Sequence, residues 1–373
     1  MARSRDVVVV GAGVVGCATA YELARRGASV RIVDDRPTGM GATQASAGVL
    51  APYLEADEKT PAFLDLTVRS LDLFDQFVAR VEADSSANVG YWRTGSIEVA
   101  ATEERMNALR SAGAQLAARG VACHVLDART VRVEEPHIAP DVAGGLLIPA
   151  HGFLSATALT RALETAARRH GAQVVQGGHV RLIAREATNL ALETTCGRLV
   201  SEAVVLAAGS WSGQIDIEGA TGRVPVRPVR GQLLHVAWNG SALRRVTWTE
   251  RCYLVPWADG TLLVGATVEE AGFDERTTVA GVRDLLEAAC ELVPHTWTAG
   301  FLGARVGLRP GTPDNLPIIG ASRAVPGLTY ATGHYRNGVL LAPLTARLVA
   351  DAILDERIDP ALAPLTPGRF GEL

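Results

Sequence analysis

The sequence lacks the features that would direct it to a membrane or a metal ion. No apolar run approaches the roughly eighteen residues of a membrane-spanning helix, and residues 1–5 lead directly into a strand without an apolar signal core. The five cysteines form no CxxC pair and no Cys/His cluster, so neither a disulfide framework nor a metal site is expected. We therefore expect a cytoplasmic protein without membrane insertion and without a bound metal.

A concentrated positive charge is also missing. The formal net charge is −4, and the arginines are scattered along the chain instead of forming a basic block. A nucleic-acid partner is therefore not expected. Phosphate groups on a ligand would have to be bound by backbone N–H groups.

The chain is long and apolar enough to build more than one core. Its 373 residues, 48% of them hydrophobic, exceed the usual size of a single domain. Patterns described below predict one domain from residues 1–85, 150–215 and 305–373. Residues 86–149 and 216–304 are predicted to form the second domain.

Residues 6–35 carry the signature of a dinucleotide-binding βαβ unit. Four consecutive valines predict a strand that is buried on both faces. Gly11, Gly13 and Gly16 follow in the spacing G-x-G-x-x-G, and a helix then leads to a second strand that ends at Asp34. Such glycines permit a tight turn, close approach of a pyrophosphate, and packing of helix on strand, while the helix N-terminus offers N–H donors to phosphate.

Asp34 stands where an acidic residue would accept hydrogen bonds from both ribose hydroxyls. Its charge would repel a 2′-phosphate. This pattern leaves two other interpretations open: a βαβ unit with a purely structural role, and an NAD-dependent dehydrogenase.

Two later segments predict further parts of the same ligand site. The apolar residues 203–206 run into a turn of small residues that includes Ala208, as expected for a strand whose carboxyl end lies at a binding crevice. Residues 333–338, GHYRNG, follow a strand and precede a helix predicted over residues 339–354. This second helix N-terminus would suit a flavin, because the reduced ring carries negative charge around N1 and the O2 carbonyl.

The middle of the chain has the pattern of an antiparallel sheet. Strands are predicted over residues 91–100, 224–236, 244–249, 251–256 and 261–268. Asn239-Gly240 and Asp259-Gly260 are typical hairpin turns. Helices are predicted over residues 61–81, 103–119, 125–136 and 279–293. The predicted fold class is α/β, a Rossmann-like dinucleotide-binding domain interrupted by a mainly antiparallel β-sheet domain with flanking helices.

Several segments, in this order, carry a resemblance to a known family: GAGVVGCATAYELARRG, ATQASAGVLAP, VVLAAGSWSG, PVRPVRGQLLHV, CYLVPWADGTLLVGAT, GLRPGTPDNLPIIG and GHYRNGVLLAP. Together they resemble the D-amino acid oxidase and sarcosine oxidase superfamily of flavin oxidases, most closely the bacterial glycine oxidase branch linked to thiamine biosynthesis. The resemblance covers essentially the full chain. It implies the glutathione reductase-like fold of that superfamily, FAD as cofactor, and a homo-oligomer.

The resemblance also implies which residues contact FAD and how the flavin is held. Some members attach the flavin through a cysteine just before the T-P-D segment, where this chain has Gly307, so FAD is expected to bind noncovalently. Val180 is expected to contact the adenine through its backbone. The implied cofactor contacts are Gly11, Gly13, Val14, Val15, Gly16, Asp34, Asp35, Ala42, Thr43, Gln44, Ala47, Gly48, Val180, Ala208, Gly209, Trp211, His334, Arg336, Asn337, Gly338 and Val339.

Substrate binding is assigned by the same resemblance to Arg309 and Tyr253. A guanidinium group binds an α-carboxylate through two parallel charge-assisted bonds, which would aim the Cα–H bond at flavin N5. Arg336 is a third candidate, for substrate, flavin or a structural carboxylate. A surface ion pair for the arginine and a packing role for the tyrosine are the alternative interpretations.

The implied reaction is hydride transfer from a neutral amine to flavin N5, without a general base. Dioxygen would then reoxidise the flavin to give hydrogen peroxide, and the imino acid would hydrolyse to an oxo acid and ammonia. Positions that tend to carry methionine or histidine in glycine oxidases are Val49, Val268 and Arg251 here, and the reduced bulk implies more room at the α-carbon. Arg251 would favour a second acidic group on the substrate if it points inward, and the alternative interpretation is an exposed arginine at a strand start.

Several alternatives therefore stay open. The substrate could be glycine, sarcosine, a D-amino acid or a larger specialised amine. The electron acceptor could be a quinone, as in a D-amino acid dehydrogenase. The third alternative is a flavin-binding interaction protein without catalysis, and Gln232 is a further candidate to line the flavin edge.

Overall fold

The computed structural model describes residues 5–53, 60–238, 240 and 243–373. The strands in these residues, numbered in chain order, are β1 Asp6–Val10, β2 Ser29–Asp34, β3 Val49–Leu50, β4 Ser96–Ala100, β5 His124–Asp127, β6 Gly144–Ile148, β7 Gly152–Phe153, β8 Gln173–Gln176, β9 Val180–Glu186, β10 Asn189–Thr194, β11 Gly197–Ser201, β12 Ala203–Leu206, β13 Asp216–Ile217, β14 Arg227–Ala237, β15 Val246–Trp248, β16 Tyr253–Pro256, β17 Thr261–Gly265, β18 Gly300–Gly311, β19 Ile318–Ala321 and β20 Leu328–Thr332. The α-helices are α1 Val14–Arg25, α2 Pro61–Asp72, α3 Phe74–Ser85, α4 Glu103–Ala118, α5 Ala128–Glu134, α6 Ala156–Arg169, α7 Val279–Leu292 and α8 Gly338–Leu354.

A six-stranded sheet in the order β19-β20-β12-β1-β2-β8 forms the first layer. Its neighbouring strands are parallel except for β19 and β20. The valines of β1 are all buried: Val7 and Val9 pack among the helices, and Val8 and Val10 pack on the opposite face. The predicted strand with two covered faces is therefore confirmed, because only such a position explains four consecutive apolar residues.

Parallel pairing brings the carboxyl ends of four strands to one edge of this sheet. β1 lies between β2 and β12, and β12 pairs with β20. The residues at or just after these strand ends, Gly11, Asp34, Ala208 and Gly333, therefore meet at the edge where open α/β sheets bind ligands.

A second, eight-stranded sheet has the order β18-β14-β17-β16-β15-β4-β6-β5. Its strands are antiparallel except for the pair β15 and β4. The predicted Asp259-Gly260 turn joins β16 to β17, with Gly260 at φ +81° and the Asp259 carboxylate accepting a hydrogen bond from the backbone N–H of Thr261 at 3.0 Å. The predicted α/β class with an interrupting antiparallel sheet is confirmed. Asn239 of the other predicted turn lies outside the described residues.

Local details differ from the predictions in three places. The helix predicted over residues 61–81 is divided into α2 and α3 at Leu73, whose N–H bonds to the carbonyl of Ser70 in the tighter i→i−3 pattern. The helix predicted over residues 125–136 was wrong at its start, because the Asp127 side chain caps α5 and leaves β5 free to extend the sheet. Strand β18 also crosses the predicted domain boundary between residues 304 and 305.

No helix among the described residues combines the length and apolar character needed to cross a membrane. In the same residues, no group of three or more His, Cys, Asp or Glu side chains is arranged to hold a metal ion. The five cysteines are free thiols, and Cys17 and Cys252 are buried. Cys17 and Cys252 thus serve as small packing groups, whereas Cys196 is exposed.

Glu135, which follows α5, is a fully buried carboxyl group. Both of its carboxylate oxygens accept a hydrogen bond from the backbone N–H of Arg244, at 3.0 and 3.1 Å. Burial nevertheless raises the pKa of Glu135 to about 7, because desolvation outweighs that hydrogen bond and the nearby positive charges of Arg244 and Arg245.

We predict that Glu135 makes stability fall between about pH 4.5 and about pH 7. Its pKa is higher in the folded state than in the unfolded state, so its contribution is complete below the unfolded value and is lost as the folded group ionises. Glu135→Gln should remove this loss. Relative to the parent protein, the free energy of unfolding of the variant should be higher at pH 8 than at pH 5 by on the order of 2 kcal/mol. Thermal unfolding at both pH values, with Glu134→Gln as the control, measures it. An equal change at both pH values would contradict the prediction.

Candidate active site

A cavity of about 610 Å³ lies where the carboxyl edge of the six-stranded sheet meets the eight-stranded sheet. Asp34 and Val180 line one end, and Tyr253 and Arg309 line the other. Helix α1 begins beside the cavity at Val14. Helix α8 begins after Asn337, near the end of the cavity that Tyr253 and Arg309 line. Neither helix is capped by the side chain of its N-cap residue. The cavity therefore offers two helix N-termini to one long ligand.

The glycine turn between β1 and α1 is packed too tightly for side chains at two positions. Gly11 has φ +109°, and a Cβ atom on it would lie 2.4 Å from the carbonyl oxygen of Ala207. A Cβ atom on Gly16 would lie 1.9 Å from the carbonyl oxygen of Gly11, so this glycine lets α1 pack on the turn. Gly13 differs, because its nearest neighbour would be Thr43 Oγ1 at 3.7 Å. Its open face leaves room for a ligand to approach the backbone.

Asp34 is held rigidly at the end of β2. Its two carboxylate oxygens accept hydrogen bonds from the backbone N–H of Ala12 at 2.6 Å and of Arg36 at 2.8 Å. Burial raises the pKa of Asp34, although these two N–H groups oppose the shift. The neighbouring Asp35 lies within 3.2 Å of His179 Nδ1. The Asp34 carboxylate is thus oriented by the backbone and lines the cavity, as binding of a ribose requires.

The segment before α8 places a neutral histidine and a charged arginine on the cavity. His334 is buried, and its Nε2 lies 3.1 Å from Thr345 Oγ1. Burial lowers the pKa of His334 to about 3, so the ring is uncharged at neutral pH. The guanidinium carbon of Arg336 lies 5.3 Å from the centre of the Tyr335 ring. Arg336 and the helix N-terminus therefore both contribute positive charge at this end of the cavity.

Arg309 enters the same end of the cavity from β18. Its Nη1 donates hydrogen bonds to the carbonyl oxygens of Thr267 at 2.9 Å and Arg230 at 3.3 Å. The guanidinium group lies flat over Gly231, since a Cβ atom there would be 2.4 Å from its Cζ and both of its Nη atoms. Within the described residues, no carboxylate forms an ion pair with Arg309, and these two carbonyl groups are its hydrogen-bond acceptors.

Tyr253 lies beside Arg309 on the same sheet. Its ring crosses Gly265, where a Cβ atom would lie 2.4 Å from the phenolic oxygen. Burial raises the pKa of Tyr253, against the opposing charges of Arg309 and Arg336, so the phenol remains a hydrogen-bond donor at neutral pH. Burial lowers the pKa of Arg309. Because a desolvated cation is costly without a counter-ion, this pair is suited to bind a carboxylate.

All but two of the residues predicted to contact FAD or substrate line this cavity, and the further candidate Gln232 does not. Gly16 lies behind the turn, in the packing role described above. Gln44 points away, because its amide donates a hydrogen bond to the Met40 carbonyl oxygen at 3.2 Å and its side chain lies in a separate outer groove. The Gln232 amide binds Glu269 and Thr278 and does not line the cavity.

The positions that suggested a wider substrate also reach the cavity. Val49 and Val268 line it, and Val268 is half-exposed. Arg251 lines it as well, but its guanidinium pairs with Glu291 and, at 3.4 Å, with Glu287. The ion pairs of Arg251 agree with the interpretation of an exposed arginine at a strand start.

Sequence patterns did not reveal an ion pair that lies beside the cavity. Arg36 forms a bidentate pair with Glu275, with both distances at 2.9 Å, and its guanidinium carbon lies 4.2 Å from the centre of the Trp211 ring. The Phe273 ring packs on Trp211 at 5.9 Å. The sequence signal was weak, because Arg36 and Glu275 lie far apart in the chain and only the position of Arg36 after Asp34 points to the ligand.

A cavity that begins at a dinucleotide-type glycine turn and ends against an antiparallel sheet fits the class of FAD-dependent oxidoreductases. A family model described as FAD dependent oxidoreductase, the DAO family, matches residues 6–352. The chain belongs to this family, and its cofactor is FAD. This assignment replaces the NAD-dependent interpretation of the βαβ unit.

The chain is similar to glycine oxidases and to bifunctional proteins. It is 35% identical to the bifunctional protein ThiO/ThiG of Trichormus variabilis, over 98% of this chain and 55% of that protein, so it spans about half the length of that relative. It is 33% identical to the glycine oxidase of Geobacillus kaustophilus, over 98% of this chain and 97% of the relative. The crystal structure of glycine oxidase from Geobacillus kaustophilus superimposes with a TM-score of 0.93 at 34% identity, covering 98% of this chain and 99% of that chain.

Gly16→Ala should weaken FAD binding by about tenfold or more, because a Cβ atom 1.9 Å from the Gly11 carbonyl oxygen must push α1 away from the turn. The measurements are the flavin-to-protein absorbance ratio after purification and a titration of the apoprotein with FAD. Gly222→Ala is the matched control, since nothing lies within 4 Å of a Cβ atom there. Equal FAD affinity in the two variants would disprove the packing role of Gly16.

Proposed function

We propose that the chain is an FAD-dependent amine oxidase that acts on glycine or a related small amino acid or N-alkyl glycine. The observation that carries this proposal is the half-buried Arg309 beside Tyr253, with no carboxylate partner among the described residues. The names of the relatives from Trichormus and Geobacillus support the same substrate class.

The described residues fit FAD along the whole cavity. The open face of Gly13 and the N-terminus of α1 would receive the pyrophosphate, Asp34 the ribose, and Val180 the adenine. The N-terminus of α8 and Arg336 would face the negative part of the ring. We propose the cofactor contacts to be those predicted from the sequence, with Gly16 and Gln44 acting from outside the cavity.

Noncovalent binding is the proposed attachment mode. Gly307 packs against Ala42 and Ala45, so the position where some relatives carry a linking cysteine has no thiol here. Cys252 does line the cavity, but burial raises the pKa of its thiol to about 11, so it is protonated and unreactive at neutral pH.

Arg309 and Tyr253 bind and orient the substrate in the proposed reaction. The guanidinium group would hold the α-carboxylate through two parallel hydrogen bonds, and the phenol would donate a third. When bound, FAD supplies the acceptor for the electrons of the Cα–H bond and passes them to dioxygen, which leaves as hydrogen peroxide. The imino acid then hydrolyses to an oxo acid and ammonia.

The residues of the cavity favour the neutral form of the substrate amine. Two guanidinium groups, Arg309 and Arg336, face the site, and their positive charge disfavours a nearby ammonium. His334, whose pKa burial lowers to about 3, is too weak a base to take a proton from the substrate at neutral pH, and its Nε2 lies 3.1 Å from Thr345 Oγ1. Alignment by the carboxylate anchor is therefore the main contribution of the protein.

A substrate with a larger group on the α-carbon or nitrogen is the second candidate. Val49 and Val268 border the cavity, and both are shorter than the methionine expected in a glycine oxidase. The expectations of a cytoplasmic homo-oligomer and of two domains also stand as proposals. The two domains would be residues 1–85, 150–215 and 305–373 for FAD, and 86–149 and 216–304 for substrate, with one boundary inside β18.

The test is an anaerobic screen in which glycine, sarcosine and D-amino acids are added to the FAD-loaded protein while flavin absorbance is followed. At least one of these compounds should bleach the flavin, and admission of air should restore the colour with formation of hydrogen peroxide. Bleaching that dioxygen fails to reverse but a quinone does would favour the dehydrogenase alternative. A flavin that no amine bleaches would overturn the proposal.

Arg309→Ala should raise KM for the best substrate by about two orders of magnitude, on the order of 3 kcal/mol, because the carboxylate loses its charged partner. FAD content should stay unchanged, since Arg309 contacts the carbonyl groups of the antiparallel sheet. Arg283→Ala is the matched control, because this exposed arginine pairs with Asp284 and does not line the cavity. Unchanged steady-state kinetics in Arg309→Ala would remove this residue from the site.

A further inference from the structure

Glu269 gathers hydrogen bonds from three side chains behind the carboxylate receptor. Its Oε1 accepts bonds from Thr267 Oγ1 at 2.5 Å and from Gln232 Nε2 at 2.7 Å. Its Oε2 accepts bonds from Arg230 Nε at 3.1 Å and Nη2 at 2.5 Å. Burial alone would raise the pKa of Glu269, but these donors together lower it, so the group is ionised at neutral pH.

The partners of Glu269 are themselves fixed. Arg230 is buried, and its Nη1 also binds Asp274 at 3.0 Å. The backbones of Arg230 and Glu269 exchange two N–H to carbonyl hydrogen bonds of 2.9 Å. Gln232 binds Thr278, the N-cap residue of α7, through both ends of its amide. The network thus ties β14 and the start of α7 to the segment that follows β17.

Two residues of this network also hold Arg309. The Thr267 hydroxyl and the Arg230 guanidinium group both bind the Glu269 carboxylate. The carbonyl groups of these same two residues accept the hydrogen bonds of Arg309 Nη1. A single carboxylate therefore binds the side chains of both residues whose backbone carbonyls accept the hydrogen bonds of Arg309.

We infer that Glu269 is a positioning residue for substrate binding, which acts through the carbonyl groups of Thr267 and Arg230 to orient Arg309 toward the substrate carboxylate. This inference rests on the proposed function, in which Arg309 is the carboxylate receptor. Glu269 also pairs with the Arg230 guanidinium group, which leaves the Arg309 guanidinium group to bind the ligand. No direct contact between Glu269 and the substrate is involved, because Glu269 does not line the cavity.

A negative charge is required at this position, and shape alone is insufficient. In Glu269→Gln, one oxygen becomes an NH2 group that faces either the donors of Arg230 or those of Thr267 and Gln232. Donors that face each other must move apart, and a buried donor without an acceptor is costly. The expected movement shifts the Thr267 and Arg230 carbonyl groups and with them the guanidinium group.

The experiment compares Glu269→Gln with Glu270→Gln in the FAD-loaded protein. Glu270 is the matched control, because it is the adjacent carboxylate, is exposed, and pairs with Arg227 away from the cavity. Glu269→Gln should raise KM by about tenfold while kcat changes by no more than about threefold, because a ground-state contact is impaired. Flavin content should match the parent. Glu270→Gln should match the parent in all three measures.

A second measurement separates this inference from the proposed function. Acetate, a carboxylate that has no amine to oxidise, is titrated into each variant while the flavin absorption spectrum is followed. Its dissociation constant should rise in Glu269→Gln by a factor similar to that for KM, and a parent that binds acetate but oxidises no amine would overturn only the proposed function. Equal acetate affinity in Glu269→Gln and Glu270→Gln would overturn the positioning role.

Two further variants exclude a merely structural effect. In an Arg309→Ala background, Glu269→Gln should cause no additional loss of acetate affinity, because the element through which it acts is gone. An additive loss would contradict the inference.

If Glu269→Gln fails to fold, Thr267→Val carries the same test. This substitution removes the hydroxyl donor but keeps the carbonyl that holds Arg309. A parent-like acetate affinity in Thr267→Val would also overturn the positioning role.

Discussion

A desolvated guanidinium group that has no carboxylate ion-pair partner within the described residues is the constraint on which the Arg309 end of the cavity depends. Removal of such a charge from water is costly, and its neighbours include two carbonyl dipoles, a phenol and a bare glycine surface. Gly231 allows the flat approach of Arg309, because any side chain there would overlap the guanidinium atoms. The cost is offset when an anion binds, which is why this arrangement supports a carboxylate substrate.

The two sheets contribute different halves of the site, and side-chain contacts join them beside the cavity. The Ser210 hydroxyl, in the turn after β12, donates a hydrogen bond to the Leu308 carbonyl oxygen at 2.8 Å, next to Arg309. On the other side, the Arg36 and Glu275 pair closes over Trp211. These contacts join the dinucleotide crevice to the strand that carries Arg309 and to the segment before α7.

The parts of the site that form within a short stretch of chain were predictable. Glycine spacing, four buried valines and Asp34 specify a strand, a turn, a helix and a second strand whose geometry depends on local backbone preferences. The hairpin at Asp259-Gly260 and the helix after GHYRNG belong to the same group. Helix boundaries were less certain where a local hydrogen bond decides them, as at Leu73 and Asp127.

The sequence by itself determined the fold class, the dinucleotide crevice and the family, because these depend on local periodicity and on motifs of a few adjacent residues. Tertiary structure alone decided which carbonyl groups hold Arg309, from residues 42 and 79 positions away, and that Gln232 turns from the cavity to Glu269. It also decided the pairing of Arg36 with Glu275, 239 positions apart. Such contacts follow from sheet register and side-chain packing, which no local pattern of residues encodes.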